Sequence, residues 1–146
     1  MSRLRQLDSS HFLIAPNLWF LRALQGRWSE CLDVLKPVPD GRGLGDNANA
    51  WRAYCEAKLG NVSKARQRLD VLIASRAQRY IAGDLIAQGY IGIGDFDAAF
   101  KWLDVAFRDR GGGMYFLFGP QFDSIRSDPR FKALEARVAA AANKAP

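Results

Sequence analysis

Tyr90-Ile91-Gly92-Ile93-Gly94-Asp95-Phe96-Asp97-Ala98-Ala99-Phe100-Lys101-Trp102-Leu103 is the stretch whose reading decides the fold of this 146-residue chain. Gly94 stands between two apolar-periodic runs. After it come a large apolar side chain (Phe96), a residue of helix N-cap type (Asp97), a small residue (Ala99) and, four later, a leucine (Leu103). The same order recurs 34 residues upstream at Gly60, with Val62, Ser63, Ala65 and Leu69. It recurs again at Gly26, with Trp28, Ser29, Cys31 and Leu35. A fixed period in this range marks a fold assembled from one repeated supersecondary unit. Here the unit reads helix, tight turn at the glycine, helix. The chain is therefore expected to be all-α, and its architecture points towards binding more than towards chemistry.

Working outward, the first hairpin is predicted from about Phe12 to Leu35. Pro37 and Pro39 then forbid further helix, and residues 37–46 read as a turn-forming connector. The second hairpin covers about Asn47 to Ser75, with Ala50, Ala53, Tyr54, Ala57 and Leu59 inward on its first helix. Its second helix carries Ala65, Leu69, Leu72 and Ile73 on one stripe. The third runs from about Ala77 to Arg110, with Ile86, Ala87 and Tyr90 before the bend and Ala99, Leu103 and Ala106 after it. Beyond Gly111-Gly112-Gly113, Ser127 or Asp128 is placed to cap a last helix with Pro129 in its first turn, where a missing N–H costs nothing. Phe131, Leu134 and Val138 form its apolar stripe, as a terminal unit needs in order to cover the last hydrophobic face.

The pattern of small residue, Tyr90, Gly94, Ala99, Leu103 and Ala106 at a 34-residue period resembles the tetratricopeptide repeat. The third unit matches best and the first departs most, with Trp19 where a small residue is expected and Pro37 cutting its second helix short. The resemblance implies a right-handed superhelix of three hairpins (repeats about 12–45, 46–79 and 80–113) closed by a cap at 114–138. A lead-in at 1–11 and a flexible tail at 139–146 flank this single domain of 12–138. The closing segment also resembles the one that ends tetratricopeptide regions of bacterial winged-helix regulators and of cyclase- or kinase-linked signalling proteins.

Composition narrows the function further. Half the residues are apolar and a quarter charged, which suits a folded globular chain. The net charge of +6 comes mainly from 15 arginines. Cys31 and Cys55 give neither a disulfide framework nor zinc spacing, and read as reduced, buried small hydrophobes of a cytoplasmic protein. Arg3 and Arg5 precede an apolar stretch at Phe12–Leu21. Pro16 and Asn17 interrupt it and no cleavage pattern follows, so it reads as helix and not as a signal peptide. No stretch approaches the roughly 20 apolar residues that span a bilayer.

No catalytic constellation is expected, and no cofactor or metal. His11 is the sole histidine and has no placed nucleophile. Asp95 and Asp97 sit where they cap a helix. Gly41-Arg42-Gly43-Leu44-Gly45 lacks the spacing and the preceding strand of a phosphate loop. The basic run Lys64, Arg66, Arg68, Arg76 and Arg79 reads as a solvated outer face. It lacks interleaved aromatics for base stacking, which argues against nucleic acid; salt-sensitive retention on heparin, lost on reversing Arg66 and Arg68, would speak for it.

The family's groove register, carried onto this sequence, places Phe20 and Leu24 from repeat one on the binding face. Trp51, Tyr54 and Lys58 from repeat two join them, with Asp84, Gln88 and Ile91 from repeat three. Rigid aromatics beside a few polar groups are the usual content of interaction hot spots. The positions of the family's carboxylate clamp are here Pro16, Phe20, Trp51, Ile81 and Leu85, so a bound peptide is expected to engage through apolar side chains. The leading expectation is a non-catalytic module that binds a peptide or partner domain. The alternative is a regulatory or sensory appendage that packs on its own signalling domain or forms a homodimer. Truncating Trp51 and Tyr54 together is expected to weaken partner capture with only a modest fall in thermal midpoint.

Overall fold

The computed structural model describes residues 15–109, 114, 117 and 119–144. The lead-in with His11, the Gly111–Gly113 break and residues 145–146 lie outside them. Among the described residues the regular structure is helical, without a strand, as the sequence predicts. The helices are α1 (Ala15–Leu24), α2 (Trp28–Leu35), α3 (Leu44–Lys58), α4 (Val62–Ser75), α5 (Gly83–Ile93) and α6 (Phe96–Asp109). A 3-10 turn at Pro120–Ile125 and α7 (Pro129–Lys144) follow. Contacts track chain order: α1 packs on α2, α2 on α3, α3 on both α4 and α5, and α5 on α4 and α6.

Gly26, Gly60 and Gly94 each fall at the bend within a helix pair, with φ of 72°, 93° and 86°. The hydrogen bonds there are the same three times over. The N–H of the next residue reaches the carbonyl five back: Arg27 to Arg22 and Asn61 to Glu56 at 2.9 Å, Asp95 to Tyr90 at 3.1 Å. This is the Schellman closure, which needs a left-handed residue at the glycine. A Cβ at Gly94 would meet no atom within 4 Å, so only backbone strain opposes it. Gly94→Ala is therefore expected to remove about 1 kcal/mol of stability. The loss would be read as a lower urea midpoint at unchanged slope; an unshifted midpoint would show that the bend tolerates L residues.

The repeated positions agree in burial as well as in spacing. Cys31, Ala65 and Ala99 are fully buried, and so are Leu35, Leu69 and Leu103. Burying such a leucine contributes about 1.5–3 kcal/mol. The capping positions differ from expectation. Ser29, Ser63 and Asp97 lie inside the first turns, because the Schellman closure returns the chain to helix almost at once. The N-cap residues of α2 and α4 are Arg27 and Asn61, neither with a side-chain cap bond. Asp95 does cap α6, its Oδ1 accepting from the Ala98 N–H at 3.2 Å.

The core forms three clusters, each shared between neighbouring elements. Trp19, Ala23, Cys31, Leu35, Trp51 and Cys55 join α1, α2 and α3. Ala50, Ala53, Ala57, Ala65, Leu69, Leu72 and Ile86 join α3, α4 and α5. Helix α3 thus buries two faces, and its alanines let both neighbours come close. Leu59, expected inward, is the C-cap residue of α3 and is exposed.

The third cluster shows how the chain closes. Ile91, Phe100 and Leu103 pack with Met114, Leu117, Phe122 and Ile125 from the C-terminal segment and with Phe131, Leu134 and Val138 of α7. The 3-10 turn lies against α5, and α7 against α6. Asp128 caps α7, accepting from the Arg130 N–H at 2.8 Å, with Pro129 as the first helical residue. The Arg130 side chain and N–H hold the Asp128 carboxyl below the usual carboxylate range. Two arginines then clamp α7 to α6. Arg130 pairs with Asp97 at 2.6 Å and Arg137 with Asp104 at 2.7 Å, and each guanidinium lies over a ring, Phe100 or Phe107. Helix α7 runs to Lys144, beyond its expected end at Val138.

Candidate functional site

Three elements that are distant in sequence meet at a cleft of about 330 Å³. The bend between α1 and α2 supplies Ala23, Leu24, Gly26 and Trp28. The C-terminal end of α3 supplies Tyr54 and Lys58, and the 3-10 segment supplies Pro120, Gln121, Asp123 and Ser124. Leu24, Tyr54 and Lys58, three of the eight expected groove residues, are therefore brought together. Leu24 is 38% exposed. Lys58 is exposed, makes no ion pair with a described residue, and holds its Nζ 5.6 Å from the centre of the Tyr54 ring. Burial pushes the Tyr54 hydroxyl above its ordinary pKa, so it stays a neutral donor at physiological pH. Gln121 Oε1 is buried without a hydrogen-bond partner, whereas Asp123 is held by Arg126 at 3.0 Å. The cleft thus combines apolar walls with an exposed lysine that makes no ion pair among the described residues. A peptide can answer both, since it carries apolar side chains and carbonyls.

The other five expected groove residues sit elsewhere. Phe20 and Trp51 stand behind Tyr54 in an edge-to-face chain, with centroids 5.4 Å apart for Phe20–Trp51 and 5.3 Å for Trp51–Tyr54. Trp51 is 5% exposed and belongs to the first core cluster. It supports Tyr54 from within and does not face the cleft, so a Trp51 truncation tests folding before it tests binding. Gln88 and Ile91 are also buried, Ile91 within the cluster that the C-terminal segment completes. Asp84, half-buried, occupies the first turn of α5 and lines no cleft described here. Trp28 and Gln121 were not singled out from the sequence. Trp28 carried only the repeat signal, and nothing periodic marks the segment that brings Gln121 across.

A second cleft, of about 340 Å³, opens between α3 and α4 beside the connector, lined among others by Asp40, Asn49, Lys64, Arg68 and Arg79. Helix α2 has 8 residues where α4 and α6 each have 14, and the connector that follows it supplies Asp40 and Gly41 to this cleft. Arg68 grips the buried Glu56 through two bonds of 2.7 and 2.9 Å, and Lys64 lies 3.6 Å from the same carboxylate. Arg79 grips the buried Asp46 at 2.8 and 3.0 Å. Arg66 faces Asp95 at 3.6 Å, and Arg76 pairs with Asp109 at 3.0 Å while stacking on Trp102. Each cation of the run thus has a carboxylate partner within the chain. Lys64 and Arg66 are solvent-exposed as expected, while Arg68, Arg76 and Arg79 are half-buried in their pairs.

No group of three or more His, Cys, Asp or Glu that could hold a metal ion occurs among the described residues, and none of their helices is long and apolar enough to cross a membrane. Compared with known protein families, characterised proteins and solved structures, the chain matches none.

Proposed function

We propose that the chain is a non-catalytic protein-interaction module of the tetratricopeptide type, its helix pairs stacked as a right-handed superhelix, with a peptide or partner segment as its ligand. The observation that carries this reading is the cleft between the α1–α2 bend, the end of α3 and the 3-10 segment. An apolar ligand side chain seats between Leu24, Trp28 and Tyr54, while Lys58 donates to a ligand carbonyl or carboxylate. The three identical glycine bends support the repeat assignment.

Selection of a displayed random-peptide library on the immobilised protein tests this. Peptides sharing an apolar anchor are expected to be retained. The double variant Leu24→Asp, Lys58→Glu is expected to weaken them tenfold or more, as loss of a hot spot does. Both side chains are solvent-facing, so the thermal midpoint should stay within a few degrees of the parent. Equal retention by parent and variant would place binding away from this cleft.

A further inference from the structure

Cys31 and Cys55 belong to different helix pairs, α2 and α3, yet their sulfurs lie 2.9 Å apart, with the Cys55 thiol donating to Cys31. Both are free and both are fully buried, in the apolar cluster that holds the first pair on the second. A disulfide bond is about 2.05 Å long, so the two sulfurs need to close by less than about 1 Å. We propose that Cys31 and Cys55 form an oxidation site whose product, an internal disulfide, fastens the first helix pair to the rest of the fold.

The chemistry is thiol–disulfide exchange with a small disulfide such as oxidised glutathione. One cysteine thiolate attacks a glutathione sulfur and releases the first glutathione thiolate. The second cysteine thiolate attacks the resulting mixed disulfide at the protein sulfur and releases the other. One S–S bond forms as one breaks, the glutathione is reduced by two electrons, and the two thiol protons pass to the departing thiolates. The closed fold resists the first step twice over. No oxidant reaches a fully buried sulfur, and the hydrogen bond to Cys31 together with burial pushes the Cys55 thiol well above its ordinary pKa. Reaction therefore passes through a state in which α1 and α2 lift from α3. That opening belongs to the low-energy end of the fold, because the first helix pair packs mainly on α3. Once formed, the bond is enclosed as the fold recloses, which also shields it from reductants.

The closed loop spans 24 residues, including the connector that Pro37 and Pro39 interrupt. Restricting it in the unfolded chain is expected to raise the thermal midpoint by about 5–10 °C. The test incubates the full chain with oxidised glutathione in low urea, which populates the open state, then removes the urea and measures intact mass, thermal midpoint and hydrogen exchange. Support consists of a loss of two hydrogens from the monomer, a peptide joining Cys31 to Cys55, the raised midpoint, and slower exchange over residues 15–35. Cys31→Ala, treated alike, should show neither the mass loss nor the shift. Stable glutathione adducts, chain dimers, or no reaction where the fully unfolded chain does react would overturn the site. A disulfide that leaves the midpoint unchanged or lower would overturn the fastening.

Discussion

Trp51→Ala is expected to lower the unfolding free energy by about 3–5 kcal/mol, among the largest effects of any single substitution in this chain. The ring is 5% exposed and packs with Trp19, Cys31, Leu35 and Cys55 in the cluster joining the first two helix pairs. It also stands edge-on between Phe20 and Tyr54, contacts that add to the area it buries. Its removal leaves a cavity among side chains of α1, α2 and α3. Urea unfolding of the parent and the variant measures the loss. A fall below about 1 kcal/mol would show that the ring is dispensable to packing and would restore it as a candidate contact for a ligand. A binding defect in this variant says nothing of the cleft until stability has been measured, which is why Leu24 and Lys58 carry the functional test.

Arg52→Met is expected to cost about 2–4 kcal/mol, for an electrostatic reason. Arg52 is 8% exposed, and its guanidinium fastens the connector to α3. One nitrogen donates to the carbonyls of Leu35 and Val38 at 2.6 and 2.7 Å, and another to Asn49 Oδ1 at 2.8 Å, with Asp40 at 3.4 Å. Burial, and then the neighbouring Arg68, lower its pKa from the usual arginine value, though an arginine remains charged at any physiological pH. Methionine keeps much of the apolar stem but takes this donor from both carbonyls; Leu35 O keeps the Val38 N–H at 3.0 Å, whereas Val38 O loses the guanidinium. Arg52→Lys keeps the charge but lacks the planar fork that reaches all these acceptors, so it is expected to recover less than half of the loss. Hydrogen exchange over residues 36–43, compared with denaturation, separates local release of the connector from global weakening. Parent-like stability in the methionine variant would mean that water replaces the guanidinium at the Val38 carbonyl.

The repeated architecture was legible because it rests on local chemistry. A left-handed glycine, a small residue and a leucine at fixed offsets are demands that each bend makes by itself, and Gly26, Gly60 and Gly94 meet them. The site was legible only in part. The periodicity identifies Trp51 and Ile91 as apolar residues of α3 and α5 but says nothing of what covers them. Ile91 is enclosed by Met114, Leu117, Phe122 and Ile125, residues without a period whose return across the fold is a long-range event. The same return brings Gln121 to Tyr54 and Lys58. The pairing of the basic run was not legible because helical spacing reports which face a residue occupies, not whether a carboxylate waits opposite. The partners of Arg68 and Arg79, Glu56 and Asp46, lie 12 and 33 positions away.

The stretch from Pro120 to Ser124 has two duties at once. Phe122 plugs the hydrophobic interior, while its neighbours Pro120, Gln121, Asp123 and Ser124 wall the cleft. Trimming the chain after Asp109 to obtain a minimal fragment would therefore lay bare a greasy, aggregation-prone flank and remove four of the ten residues that line the cleft in one cut. Any shortened version that stayed in solution would lack the proposed binding cleft, so its silence in a binding screen would not count against that proposal.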